Sequence, residues 1–243
     1  MAFKSEFMKV FKEGLEPYGF RRMKGTDFFG KLINNEILLY VSYKQYSPPN
    51  RGVKAFDVIA GVQTIYSHDL TEHQLIFSSG GLINHNISCV DNIRVYFEYT
   101  SKTQSDAIDK AFKSMMKVIM PIFEEVKDLP SCLEYLFTFN FGWLNHLDRM
   151  YRDSILLIVA DNHDSFEYRL NKAKEERLKF YNGNESNPVY QTWLEEFPPV
   201  LHELIDSRDR VWASEELQDK VFSEANRRAE INKAQLRKYG FDI

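Results

Sequence analysis

Apolar residues at Phe3, Phe7, Met8, Val10, Phe11 and Leu15 recur at helical spacing, with Lys4, Lys9, Lys12 and Glu13 largely between them. The pattern predicts an amphipathic helix with one core-facing stripe. Gly19, between Tyr18 and Phe20, predicts a left-handed C-cap with Phe20 folding back over the last turn. Pro17 draws the expected helix end toward Glu16. The period then changes. Residues 20–24 and 27–32 flank Gly25-Thr26 as a tight hairpin, and Asn34-Asn35 marks a second turn. In 36–44, Ile37, Leu39, Val41 and Tyr43 alternate with Leu38, Tyr40 and Ser42. That alternation predicts a strand covered on one face and lined by rings on the other. The Ser-Pro-Pro-Asn-Arg-Gly run at 47–52 cannot continue it. Residues 56–64 and 92–100 read as further strands, and Thr71-Glu72-His73-Gln74 has capping-box spacing. The short connections predict an antiparallel meander of about five strands.

From Ser105 the helical period returns. Ile108, Ala111, Phe112, Met115, Ile119, Ile122, Phe123 and Val126 mark a long helix that Pro121 is expected to kink or split. Beyond Leu129 helices follow one another, broken at Asn140-Phe141-Gly142, at residues 161–164 and at Asn182-Gly183-Asn184. The apolar run at 155–160 fits a buried strand as well as a helix. The last helix, about 214–239, ends in Leu236-Arg237-Lys238-Tyr239-Gly240-Phe241, which echoes 15–20. We read the echo as one capping pattern used twice, not as a repeat. The fold class is α+β: an N-terminal helix packed on an antiparallel sheet of about five strands, then a mostly helical C-terminal half. The expected domains are residues 1–130 and 131–243.

Composition changes this picture little. Of 243 residues, 44% are apolar and 27% charged, an ordinary globular mix. Aromatics reach 14%, which points first to ring packing in the core. The first fifteen residues contain no uninterrupted apolar run, so neither a signal peptide nor a membrane span is expected, and a cytoplasmic location is. Cys89 and Cys132 are too few for a disulfide scaffold. Charge is more informative. Residues 1–54 hold ten Lys and Arg against five Asp and Glu, whereas residues 55–243 hold 21 against 30.

Leu15-Glu16-Pro17-Tyr18-Gly19-Phe20-Arg21-Arg22, then Phe28-Phe29 and Tyr43-Lys44-Gln45-Tyr46-Ser47, carry a likeness over residues 3–130. This part resembles the bacterial family catalogued as domain of unknown function 4304. Members open with a helix ending in leucine, glycine, phenylalanine and a basic pair, followed by an aromatic hairpin and a strand ending in a glutamine-lysine segment. Here that last pair runs Lys44-Gln45. The resemblance implies a structural scaffold without an assigned activity, and it hints at toxin-neutralising or stress-related partners.

Three candidate chemistries were weighed. His68, His73, His85 and Cys89 are borderline-soft ligands crowded into one segment, yet their spacing matches no common zinc motif. A small metal-dependent hydrolase centred there is one alternative reading, though no metal or cofactor is expected. Adjacent carboxylates such as Glu195-Glu196 and Glu215-Glu216 point about 100° apart on a helix and read as solvated faces. Arg21 and Arg22 beside Tyr40, Tyr43 and Tyr46 combine cations with rings, as single-stranded nucleic acid requires. A pI of about 5.9 weighs against that second alternative. The reading reached from sequence is a non-enzymatic binding or regulatory protein, immunity-like, recognising a macromolecular partner. Its expected anchors are Arg21, Arg22, Tyr40, Tyr43 and Tyr46, with Trp143, Trp193 and Trp212 as further ring candidates that core packing explains better.

Overall fold

The first helical stripe becomes the buried side of α1 (Phe3–Leu15), where Phe3, Phe7, Met8, Phe11 and Leu15 all leave solvent. A computed structural model describes residues 2–46, 53–66, 70–71, 75, 97–139, 155, 158–160 and 163–243. Past Leu15 the helix tightens into a 3-10 turn, Glu16–Tyr18, which holds Pro17. Gly19 stops it at φ 83°. The Gly19 N–H donates to the Glu16 carbonyl at 3.0 Å and the Phe20 N–H to that of Leu15 at 3.3 Å. This pair of bonds is a Schellman closure, and its left-handed residue must lack a Cβ to be free of strain.

Five strands follow in the spatial order β1-β2-β3-β4-β5: Arg21–Arg22, Phe29–Ile33, Ile37–Tyr46, Lys54–Thr64 and Phe97–Tyr99. The sheet is antiparallel. Between β2 and β3 the three residues 34–36 connect the strands; Asn34 and Asn35 take positive φ, 50° and 59°, and the Glu36 N–H closes the turn on the Ile33 carbonyl at 3.0 Å. Phe3 of α1 lies 5.2 Å from the Tyr43 ring, 4.8 Å from Phe56 and 5.0 Å from Tyr99. Phe7 adds Tyr43 at 4.6 Å. Each such pair contributes about 0.5–1.5 kcal/mol beyond its area burial. Tyr43 and Phe56 therefore belong to the face that α1 covers.

The opposite face is covered as well. Arg21, Gly30 and Tyr40 stand side by side in register across β1, β2 and β3. A Cβ on Gly30 would meet Phe241 Cζ at 3.0 Å, so the chain's last aromatic residue stands over this row. Residues 37 to 42 are all buried. The expected division of β3 into a covered face and a ring-lined one is thus corrected: both faces are core.

Helix α2 (Gln104–Glu125) packs on α1, with Phe112 edge-on to Phe11 at 5.2 Å. Pro121 lies inside α2, which continues to Glu125. The anticipated split does not occur. Proline at this position removes one backbone donor, and the buried neighbours Ile119, Met120 and Phe123 carry the turn.

The chain divides into two compact units. The first comprises Met1–Gln63, Thr71–Glu125 and Gln235–Ile243; the second comprises Thr64–Leu70 and Val126–Ala234. In the second unit α3 (Leu129–Phe139) opens on Asp128, whose side chain accepts from the Ser131 N–H while Ser131 Oγ accepts from the Asp128 N–H. That reciprocity is a capping box. Helix α4 (Phe166–Phe180) is capped by Ser165, and α5 (Pro188–Trp212) by Asn187, which accepts from Val189 and Tyr190. Residues 155, 158 and 159 are helical, which resolves the ambiguous run. Ile155 and Ile158 pack with Val221 and Ala225 of α6 (Glu215–Lys238). No described helix is long and apolar enough to cross a membrane.

Candidate functional site

Of the five expected anchors, the fold brings four to or near the surface of the first unit and buries one. Tyr40 is 0% exposed and belongs to the core. Its side chain stands on the sheet face opposite α1, one row in from Gly30, so no partner at the surface reaches it. Tyr43 is half-buried, its ring wedged against Phe3 and Phe7. Its hydroxyl donates to Asp27 Oδ2 at 3.3 Å. Burial, then the adjacent Asp27 charge, pushes the Tyr43 hydroxyl up to about 12. Tyr46 is half-buried beneath Lys44, whose Nζ is 5.4 Å from the ring centroid.

Asp27 is the hub of this corner. Its carboxylate takes Lys4 at 2.7 Å and Arg22 at 3.8 Å besides Tyr43, and its backbone carbonyl accepts from Ser42 Oγ at 2.9 Å. The arrangement ties α1, the β1–β2 turn and β3 together. Tyr43 is thereby held as a packing element at the edge of the core, while part of its ring and of the Tyr46 ring stays in contact with solvent. Arg21 and Arg22 are exposed on successive positions of β1 and point to opposite sides of the sheet. Arg21 lies over the Phe241 ring, 4.1 Å from its centroid.

His68, His73, His85, Cys89 and Trp143 lie outside the described residues. Among the described residues no group of three or more His, Cys, Asp and Glu is placed to hold a metal ion. Cys132 is a buried free thiol, and Trp193 is a core residue stacked on Phe197 at 4.6 Å. Trp212 is half-buried.

The second unit carries a feature the sequence reading passed over. Helix α5 buries Tyr190, Trp193, Phe197, Leu201, Leu204, Ile205 and Arg208 on one side. Its outer side and the start of α6 expose Glu195, Glu196, Glu203, Asp206, Asp209, Glu215, Glu216 and Asp219. Between 195 and 219 the sole cations are Arg208 and Arg210. Arg208 is buried and is spent on Asp209 at 2.7 Å and on the Asp164 carbonyl at 3.1 Å. The carboxylates of Glu195, Glu196, Glu203 and Asp206 form no ion pair among the described residues, and Arg210 Nε donates to the Asp206 backbone carbonyl at 3.2 Å. A shallow depression runs along this side past His202, Glu203, Asp206 and Arg210. His202 is held flat against Phe166 of α4, 3.5 Å between ring centroids. The pattern is legible once helical phase is applied, because pairs that are 100° apart still share the wide polar arc of an amphipathic helix.

The same unit holds a polar cluster between helices. Arg169 of α4, 4% exposed, is forked between Glu134 of α3 and Asp164. Lys172 reaches the same Glu134 at 3.2 Å. Buried arginine paired with two carboxylates holds helices in register, since removing either partner leaves an uncompensated charge. These pairs orient α3 and α4; Arg169 itself is buried, whereas Glu134, Asp164 and Lys172 reach the surface in part.

No family model, curated protein or solved structure matches this chain.

Proposed function

We propose that the chain is a non-enzymatic binding protein that presents the acidic outer side of α5 to a basic macromolecular partner, an immunity-like role. The observation that carries this reading is the row Glu195, Glu196, Glu203 and Asp206, exposed and with carboxylates in no ion pair among the described residues, on a helix whose inner side is fixed by Trp193 and Phe197. A helix backbone holds its charges at constant spacing, so a partner meets them with no backbone to order. Exposed like charges raise the association rate and fix orientation more than they raise affinity. Apolar contact must supply the rest, and Leu217, 39% exposed, lies between the exposed Glu216 and Asp219 at the start of α6. The same charges would serve only solubility if no partner existed, which makes the test decisive.

The test uses the full chain as bait in an extract of its native host, beside a Glu203→Lys, Asp206→Lys variant of equal thermal stability. A single basic protein held by the parent, eluting as salt rises and absent from the variant, supports the reading. Equal recovery by both baits, or no specific partner, overturns it.

A further inference from the structure

Cations from the two ends of the chain meet on the first unit. Arg21 and Arg22 stand on β1, Lys24 follows in the turn, and Arg237 and Lys238 occupy the last turn of α6; all five are exposed. They are brought together by contacts that are backbone and ring, not charge. The Lys24 N–H donates to the Tyr239 carbonyl at 3.0 Å. The Lys24 stem crosses Gly240 so closely that a Cβ there would lie 3.0 Å from Lys24 Cε. The Arg21 guanidinium rests on Phe241 at 4.1 Å. Two carboxylates stand near in sequence: Asp27, which takes Lys4 at 2.7 Å and Arg22 at 3.8 Å, and the exposed Asp242. Arg237 Nε also donates to the Ile243 O atom at 2.7 Å.

We infer that this edge, β1 with its turn and the closing turn of α6, is a cationic surface for the phosphate backbone of nucleic acid. It is independent of the acidic face proposed above. Two of its cations have pinned stems, so they present their charged ends with less rotamer entropy left to lose on contact. Neutralising several phosphates releases counterions, which is the sequence-independent part of nucleic-acid affinity. A single strand additionally needs successive bases stacked on rings. Here Phe241 and Tyr239 are each 5% exposed and Tyr40 is 0% exposed. Tyr18, 41% exposed at the first helix stop, is one ring alone. The surface therefore reads charge spacing rather than bases, which fits a duplex. The bland account, in which Arg237 and Lys238 merely complement the helix dipole, leaves Arg21 and Lys24, both laid against the closing turn, unexplained.

Fluorescence anisotropy of a labelled duplex with the full chain tests this. Binding should be measurable at about 20 mM salt and weaken steeply toward about 200 mM. The Lys24→Glu, Lys238→Glu variant should lose at least about tenfold in affinity with its circular dichroism unchanged, and Lys238→Glu alone should lose part of that. The Glu203→Lys, Asp206→Lys variant should bind the duplex no more weakly than the parent, so the two proposals fail separately. No binding at low salt overturns the inference, as does equal binding by the variant. Preference for polyglutamate or for anionic vesicles over the duplex would overturn it too, reassigning the surface to an acidic protein or a membrane.

Discussion

Gly14 of α1 and Phe112 of α2 meet where the two helices cross, and a Cβ on Gly14 would lie 2.0 Å from the Phe112 ring. The aromatic ring fills the space that a side chain would take. Close approach also brings Phe112 edge-on to Phe11, so one glycine sets the packing of a three-residue cluster.

Gly14→Ala should therefore destabilise the first unit by about 1–3 kcal/mol, although alanine is the better helix former. Combined with Phe112→Leu, the added methyl should cost less than it does alone, because the ring it strikes is gone. Chemical unfolding of the single and double variants measures the coupling. Additive effects would show that the ring moves aside freely.

The two helix stops make a paired prediction. Phe241 donates to Leu236 and Gly240 to Arg237, the same bonds that Phe20 and Gly19 make to Leu15 and Glu16. Gly19 and Gly240 sit at φ 83° and 93°. Alanine at either costs about 1 kcal/mol from backbone conformation. Gly240→Ala should cost more, since its Cβ meets the Lys24 stem at 3.0 Å whereas that of Gly19 meets Lys31 at 3.7 Å. Equal unfolding midpoints for the two variants would contradict the packing difference.

These stops also mark the limit of what the chain discloses before folding. The stripe of α1, the Asn34-Asn35 turn and both glycine closures are local events, decided within a few residues, and each is readable. That Phe241 covers Gly30 is a contact between the chain's ends and leaves no periodic trace. Without it β3 looks two-sided and Tyr40 looks available. The Arg21-Arg22 pair was legible as a cationic feature, but not its completion by Arg237 and Lys238. The acidic side of α5 was read residue by residue as solvated pairs, and only helical phase joins them into one face.

Acid should weaken a tie within α6. Glu224 accepts from Arg227 at 2.7 Å and from Arg228 at 2.8 Å, and these bonds hold its carboxyl down to about 2. A depressed folded-state value means that the stabilising contribution is complete above the ordinary carboxylate range, near pH 4.5, and is lost as pH falls toward about 2. Glu224→Gln should thus lower the melting temperature at neutral pH, with the gap to the parent closing between pH 4.5 and about 2. A gap that stays constant through that range would assign the loss to packing instead of charge.

Asn232 makes the most consequential single tie in the second unit. Its side-chain amide donates from Nδ2 to the Ile65 carbonyl at 2.8 Å, and its Oδ1 accepts from the Leu70 N–H at 3.0 Å. The residue is 1% exposed, so both backbone groups are satisfied away from water. One planar amide supplies a donor and an acceptor at once, which neither a carboxylate nor a hydrocarbon can do. Each orphaned buried group costs about 1–3 kcal/mol, so Asn232→Ala should destabilise by about 2–4 kcal/mol. Asn232→Asp should be nearly as harmful when ionised, because a carboxylate then faces the Ile65 carbonyl, and it should recover in part as pH falls toward about 4, since protonation restores a donor and burial favours the neutral form. Hydrogen exchange at the Leu70 amide reports the bond directly: it should be slow in the parent and accelerate in both variants. Unchanged exchange at that amide in Asn232→Ala would mean that the segment holds its place without the asparagine.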